Sequence, residues 1–341
     1  MKLHGDGFLI SFLEAQMLGL GRREGLETHI RPYLNGRDAL QRSRNLWVID
    51  LFGLNEVDVR QRFPEVYEHL LSRVWDYKVL NKKTQKWEPT GRKYNNRQTY
   101  KDNWWIFGEP RGDIRPALHG LVRYIATVET SKHRVFQFLD VSILPDNMII
   151  VFAIDSSFHL GIVQSSIHTE WALRAGGWLG IGNDSRYSKS KVFDSFPFPD
   201  PTSSQRGRIA CVAEELDARR KAALAEVPGL TMTEIYNLRD LKRGGAALDF
   251  VTEERATRAR AGTVAKLHDE LDAAVAAAYG WPADLAPSEI ITRLVALNHE
   301  RAAEEAAGTI RWLRPDYQIP RFGSAKPAKR GRKVAVEADD A

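Results

Sequence analysis

Residues 123–155 read RYIATVETSKHRVFQFLDVSILPDNMIIVFAID, and this stretch decides the fold. It contains three runs rich in β-branched and aromatic residues: RYIATVE (123–129), RVFQFLD (134–140) and NMIIVFAID (147–155). Runs of this length, separated by turn signals such as Pro-Asp-Asn, predict short strands that lie side by side. The apolar run that follows, FHLGIV (158–163), is also predicted to be a strand.

The segments on either side of this stretch favour helices. Residues 165–175 are predicted to form a helix that ends at two glycines, and LWVIDLF (46–52) a buried strand. A helix is predicted over 56–75, interrupted at Pro64, and another begins near Pro287. Apolar residues with helical spacing are Val59, Phe63, Val66, Leu70 and Val74, and later Val264, Leu267, Leu271, Ala274 and Ala278. Strands followed by helices indicate an α+β fold.

These elements divide the chain into four predicted parts. Residues 1–45 are a connector, residues 46–203 a mixed strand and helix domain, and residues 204–318 a helical domain. The proline-rich stretch FPFPDPTSS (196–204) is predicted to be the linker between the two domains. Residues 319–341 carry few large apolar side chains and are predicted to be a disordered tail.

The composition is that of a folded cytoplasmic protein. Hydrophobic residues make up 43% and charged residues 27% of the 341 positions, and no apolar run is long enough for a membrane helix. Cys211 is the single cysteine, which excludes an internal disulfide and a zinc site built from several cysteines of one chain.

The charge is concentrated in one segment. Residues 78–101 contain eight basic side chains and one acid, Glu88, whereas the whole chain carries a net charge of only +5. Aromatic residues are interleaved with these cations, and this combination suits a polyanion with stackable bases. We interpret the segment as a long DNA-binding loop, and a solvated loop without a ligand is the alternative.

Three further loops offer cations near the ends of predicted strands or helices. Arginine and lysine can bind guanine edges or phosphates, and hydroxyl groups can bind phosphates. The predicted DNA-binding residues are Lys82, Lys83, Lys86, Arg92, Lys93, Arg97, Lys101, Arg111, Lys132, Arg134, Asn183, Arg186, Tyr187, Lys189 and Lys191.

Common catalytic motifs are missing from the sequence. The pair Gly19 and Gly21 lacks the third glycine of a dinucleotide loop, because Glu24 occupies its place. There is no HExxH, paired-cysteine or GxSxG motif. A nuclease motif beginning at Pro145-Asp146 has no lysine after Asp155. We therefore predict no catalytic, cofactor or metal residues in this chain.

Several long segments resemble a known enzyme family. LHGDGF (3–8), HIRPYLNGRD (29–38) and WVIDLFG (47–53) resemble the region that joins the catalytic and recognition domains of MmeI-like type II restriction-modification methyltransferases. WWIFGEPR (104–111), the stretches 123–140 and 158–184, and FDSFPFPD (193–200) resemble their target recognition domain. LHDELDAAVAAAYGWP (267–282) and residues 297–318 resemble their helical C-terminal part.

The resemblance implies adenine N6 methylation of double-stranded DNA with S-adenosylmethionine as donor. The family's glycine-containing cofactor loop and its (D/N/S)PP(Y/F/W) motif, which holds the flipped adenine, are not found in this sequence. We therefore expect a recognition part that works with a separate methyltransferase part, arising from a split gene, a truncated gene or a mis-assigned start. The alternatives are a complete small methyltransferase with an unrecognised site, and a protein–protein adaptor without catalytic activity.

Overall fold

The computed structural model describes residues 1–3, 5–179, 184–245 and 247–323, and their fold is α+β as predicted. The strands are β1 Leu9–Ile10, β2 Ile30–Leu34, β3 Trp47–Ile49, β4 Lys78–Asn81, β5 Lys86–Pro89, β6 Arg123–Val128, β7 Thr130–Ser131, β8 Phe136–Asp140, β9 Leu144–Pro145, β10 Ile149–Phe152, β11 Gly177–Leu179 and β12 Asp184–Arg186. The helices are α1 Phe12–Met17, α2 Gly36–Leu40, α3 Glu56–Arg62, α4 Pro64–Leu70, α5 Gln98–Asp102, α6 Ile114–Leu118, α7 Ser157–Gln164, α8 Ser166–Ala175, α9 Ser203–Glu226, α10 Met232–Arg243, α11 Phe250–Arg258, α12 Ala261–Tyr279, α13 Pro287–Ala306 and α14 Pro315–Phe322.

The three strands predicted in residues 123–155 form the central sheet, in the order β10-β6-β8 with antiparallel pairing. Successive residues of a strand point to opposite faces, and here both faces are covered. Ile125 and Phe136 lie in one core, while Tyr124 and Ala126 lie in another. Burial on both sides explains why these strands read as nearly continuous apolar runs.

The N-terminal region builds a second sheet, in the order β1-β3-β2-β9. The predicted helix over residues 56–75 covers this region, and Pro64 divides it into α3 and α4 as expected. Its predicted apolar stripe, from Val59 to Val74, is buried. One core joins residues from both sides of position 45, so the packing does not follow the predicted boundary between connector and domain.

The prediction of a strand at residues 158–163 is wrong, because this run is the helix α7. The helix is buried almost all round, so its sequence lacks the polar face that marks a helix. At Gly161 an added Cβ would lie 2.5 Å from Ile209 Cγ2 of α9. Glycine at this position therefore allows the two helices to pack closely.

The helical C-terminal region packs directly on the central sheet. One continuous core contains Phe136 of β8, Leu216 of α9 and Leu271 of α12, and therefore crosses the predicted boundary at residues 203–204. The proline-rich stretch before α9 is also packed, since the Phe196 ring lies 4.4 Å from that of His168. The predicted α8, α12 and α13 are all present.

The last described helix, α14, returns to the strand region. Arg314, at its start, donates hydrogen bonds to the carbonyl oxygens of Ala117, His119 and Ala153. The helix extends to Phe322, so the predicted tail boundary at residue 319 lies inside it, and residues 324–341 are outside the described ranges. Across those ranges, none of the helices combines the length and apolar character that crossing a bilayer requires.

A buried arginine ties the helices to the sheet. The Arg220 side chain in α9 is fully buried and donates to Gln164 Oε1 at 3.0 Å and to Tyr236 Oη at 2.7 Å. It also donates to the Phe136 carbonyl at 2.8 Å and to Asp217 Oδ1 at 3.1 Å. These partners belong to α7, α10, β8 and α9, so a single guanidinium group fixes four elements relative to one another.

We predict that Arg220→Met lowers the free energy of unfolding by about 2–3 kcal/mol, because buried oxygens of other elements lose their donor while Asp217 keeps only its salt bridge with Lys221. Arg219→Met is the matched control, since the exposed Arg219–Glu215 pair contributes about 0–1 kcal/mol. Urea denaturation measures both changes. Equal effects of the two substitutions would contradict the role assigned to Arg220.

Two buried histidines are neutral in the folded chain. Burial lowers the pKa of His159 to about 4, with a smaller contribution from Arg206, and burial lowers the pKa of His168 to about 3. In the unfolded chain both rings take up protons below pH 6.5. The unfolded state then binds more protons than the folded state, so stability is lost as the pH falls below 6.5.

We predict that His159→Phe removes part of this pH dependence. Between pH 6.5 and 5 the variant's free energy of unfolding should fall less steeply than the wild type's, by up to about 1.4 kcal/mol per pH unit. The ring packs against Phe158 and Phe198, so phenylalanine fits the same apolar surroundings. Denaturation curves at several pH values test this, and identical slopes for the two proteins would refute it.

Candidate nucleic-acid interface

Residues 78–89 form a two-stranded hairpin, which we call the arm. Strands β4 and β5 pair with each other through four residues on each side, in place of the long loop predicted from the sequence. Nearly every residue of the arm is exposed, so the alternation of buried and exposed positions that reveals a strand is missing. Within the described residues, its cations form no salt bridge with a carboxylate, and Lys78 lies near enough to Asp76 to add to the hydrogen bond from Tyr94 in lowering the pKa of that carboxyl group. These cations are Lys78, Lys82, Lys83 and Lys86.

The base of the arm is held tightly. The backbone amides of Thr90 and Gly91 both donate to the Tyr77 carbonyl, at 2.9 and 2.8 Å. A Cβ at Gly91 would lie 2.2 Å from the Trp75 carbonyl oxygen, so glycine is required where the chain leaves the arm. Tyr94 Oη donates to Asp76 Oδ1 at 2.7 Å, which links the chain after the arm to the chain before it.

Arg92, predicted to contact DNA, is buried directly below the arm. Its guanidinium group donates to the carbonyl oxygens of Leu3, Asn103, Trp104 and Ile106. Burial lowers the pKa of Arg92 to about 10. The side chain therefore holds the base of the arm from the interior, and a contact of Arg92 with DNA stays a prediction.

We predict that Arg92→Met lowers the free energy of unfolding by about 2–3 kcal/mol, since buried carbonyl oxygens lose their donors. Lys93→Met, at the neighbouring exposed position, should change stability by less than about 1 kcal/mol. Thermal and urea denaturation compare the two variants. An unchanged melting temperature for Arg92→Met would show that the side chain is not the anchor.

The predicted loop around residues 131–134 is also partly internal. Arg134 is buried and donates to the carbonyl oxygens of Val128 and Ser185, and burial lowers its pKa to about 10. Lys132 remains exposed, with Nζ 2.8 Å from Asn237 Oδ1 of α10. Lys132 therefore stays available at the surface, whereas Arg134 joins two sheets.

The loop predicted at residues 183–191 divides in the same way. Tyr187 is buried, and its hydroxyl lies 3.0 Å from His168 Nε2, so it does not face a phosphate. Arg186 pairs with Glu129 at 2.6 Å, whereas Lys189 and Lys191 are exposed. Asn183 lies outside the described residues.

Two of the predicted DNA-binding cations, Arg111 and Lys189, line the same cavity. Both line a largely apolar cavity of about 430 Å³, together with Arg314 and Tyr317. Arg314, just before α14, and Tyr317 within it were not predicted, because only the folded chain brings them close to the strands. The carboxylates Asp113 and Asp146 also line the cavity, and the arm's lysines do not, so the predicted cations fall into two separate regions.

The segment after the arm combines rings and cations. Trp104 lies in the core and contacts the rings of Tyr67, Trp75 and Trp105. Arg97 is exposed, with its guanidinium group 5.5 Å from the centre of the Tyr100 ring. The other predicted cation of this segment, Lys101, is half-buried. In the described ranges, histidine, cysteine and carboxylate side chains do not gather in threes as a metal site requires.

No family model matches this sequence, and no curated protein is significantly similar to it. Among solved structures, the fold is similar to that of the type IIL restriction-modification enzyme MmeI in complex with DNA, with a TM-score of 0.60 and 17% sequence identity. The match covers 89% of this chain and 35% of that protein. At this identity the similarity shows a related fold, and this chain spans about a third of the length of that enzyme.

Proposed function

We propose that this chain is the DNA-recognition part of a restriction-modification system and that it acts with a separate adenine methyltransferase part. The observation that carries the proposal is the arm, which presents four lysines that form no salt bridge with a carboxylate in the described ranges. The related fold, seen in an enzyme solved with DNA, supports duplex DNA as the polyanion. The chain's resemblance to recognition-domain segments points in the same direction.

The two cationic regions suit different tasks. Lysine is a strongly hydrated point charge and suits phosphates, so the arm would anchor the chain to the DNA backbone. Arginine can bind the O6 and N7 atoms of guanine with two hydrogen bonds. Arg111 has a side chain that is 59% exposed and pairs with Glu109 at 3.3 Å, and it lines the same cavity as Lys189. The rim of that cavity is our candidate for reading base sequence.

Methyl transfer would belong to the partner part. The methyl donor and the flipped adenine both need a built pocket, and the sequence offers no cofactor loop or adenine motif for them. In this proposal the chain supplies position and sequence choice, and the partner supplies S-adenosylmethionine binding and chemistry.

We predict that the purified chain binds duplex DNA with an affinity that falls steeply with salt concentration. Each phosphate contact contributes about −0.9 to the slope of log K against log salt. Replacing Lys82, Lys83 and Lys86 by alanine should therefore make the slope less steep by about 2–3. Fluorescence anisotropy of a labelled duplex between about 50 and 200 mM NaCl measures the slope.

The control removes two exposed cations from the helical surface, by Arg219→Ala and Lys266→Ala, and should leave the slope unchanged. Absence of duplex binding at low ionic strength would contradict the proposal. Methyl transfer to DNA by the purified chain alone would contradict the division between recognition and catalysis.

A further inference from the structure

We infer that the arm enters the major groove of duplex DNA as a β-ribbon and contacts the DNA through the side chains of Leu80 and Trp87. This inference rests on the proposed DNA-binding function and adds to it a groove, an orientation and an apolar contact.

The arm exposes apolar side chains that the fold does not use. Trp87 is 67% exposed, Val79 43% and Leu80 38%, although large apolar side chains are normally covered. In the part of the chain that the structure describes, β4 and β5 pair only with each other. A lone hairpin has little stability of its own, so its shape here depends on the tightly held base.

The strand register places Leu80 and Trp87 together, whereas Val79 pairs with Glu88 on the other face. Leu80 pairs directly with Trp87, and side chains of such a pair lie on the same face of the ribbon. Lys86 pairs with Asn81 on the opposite face. Lys82 and Lys83 occupy the turn at the tip. One face therefore offers a flat ring and an aliphatic side chain, with Lys78 on the same face and two lysines at the tip.

Duplex DNA is the occupant that fits the charge and the dimensions. The arm's one acid, Glu88, accepts a hydrogen bond from the Asn81 amide at 2.6 Å and is not paired with a lysine. Four paired residues at about 3.4 Å each give strands of about 14 Å, long enough for the ribbon to lie in a major groove about 12 Å wide with one face toward the base edges and its tip beside a phosphate backbone. A two-stranded ribbon fits the major groove, about 12 Å wide, and not the minor groove, about 6 Å wide.

Because its base is fixed, the arm is preorganised for binding. Gly91 and Arg92 hold the arm in one position, so little conformational freedom is lost when DNA binds. Lysines at the tip can then reach phosphates while the Leu80 and Trp87 side chains contact sugars or base edges. The arm thus combines charge attraction with a contact that salt does not screen.

The test compares Trp87→Ala with Trp87→Phe and with Phe250→Ala, which removes a ring that is 82% exposed on α11. We expect Trp87→Ala to weaken duplex binding about tenfold at every salt concentration with an unchanged salt slope, because a ring contact is lost and no charge is removed. Trp87→Phe should recover most of the affinity, and Phe250→Ala should bind like the wild type.

A second variant tests the reach of the arm even if Trp87→Ala disturbs the hairpin. Replacing residues 81–86 by Asn-Gly keeps a two-residue turn between Leu80 and Trp87 but shortens the arm. It should weaken binding and reduce the salt slope. Distamycin, which fills the minor groove, should not displace the wild-type chain from DNA, and displacement would overturn the groove assignment.

The outcomes separate this inference from the proposed function. A wild-type chain that does not bind duplex at low ionic strength contradicts the proposed function. A wild-type chain whose salt slope depends on Lys82, Lys83 and Lys86, with Trp87→Ala binding as well as the wild type and the shortened arm binding as well as the triple lysine variant, contradicts the β-ribbon inference alone. Trp87→Ala that binds DNA normally but loses a protein partner would assign the arm to protein contact.

Discussion

The interaction on which the whole arrangement depends is the burial of the Arg220 guanidinium group between sheet and helices. A charge in the protein interior is costly unless it is fully paired and hydrogen-bonded. Here the two terminal nitrogens of the guanidinium group find partners in β8, α7, α9 and α10, so most of its donors are satisfied only when all four elements are in place. His268 Nε2 lies 3.0 Å from the hydroxyl of Tyr236 and extends the network to α12. The strand region and the helical region are therefore parts of one cooperative structure.

The same requirement divides the basic residues into two groups. Arginines such as Arg92, Arg134 and Arg314 point inward and donate to backbone carbonyl oxygens, because a planar group with five donors can satisfy several acceptors at once. The lysines of the arm stay in water, where an ammonium group is best solvated. Internal arginines hold the loops in place, and exposed lysines supply the charge that the proposed DNA contact needs.

The spacing of apolar residues in the sequence predicted the elements that have a regular pattern of buried side chains. The central strands, the division of the N-terminal helix at Pro64 and the stripe on α12 follow from apolar spacing and from proline geometry. Two elements were missed for opposite reasons: α7 is buried all round, and the arm is exposed all round, so neither shows a contrast between its faces. The interface was predicted mainly as a set of cations, but sequence does not show which of them are buried, as Arg92 and Arg134 illustrate.

Near its described end the chain contacts the strand region again, through Arg314 at the start of α14. Arg314 binds carbonyl oxygens in the strand region nearly two hundred positions earlier in the sequence, and the intervening helices pack on the same core. These segments are therefore held together by side-chain contacts as well as by the covalent backbone. A backbone cut at the exposed pair Gly244 and Gly245 would leave two fragments that remain associated through side-chain contacts and separate only on denaturation.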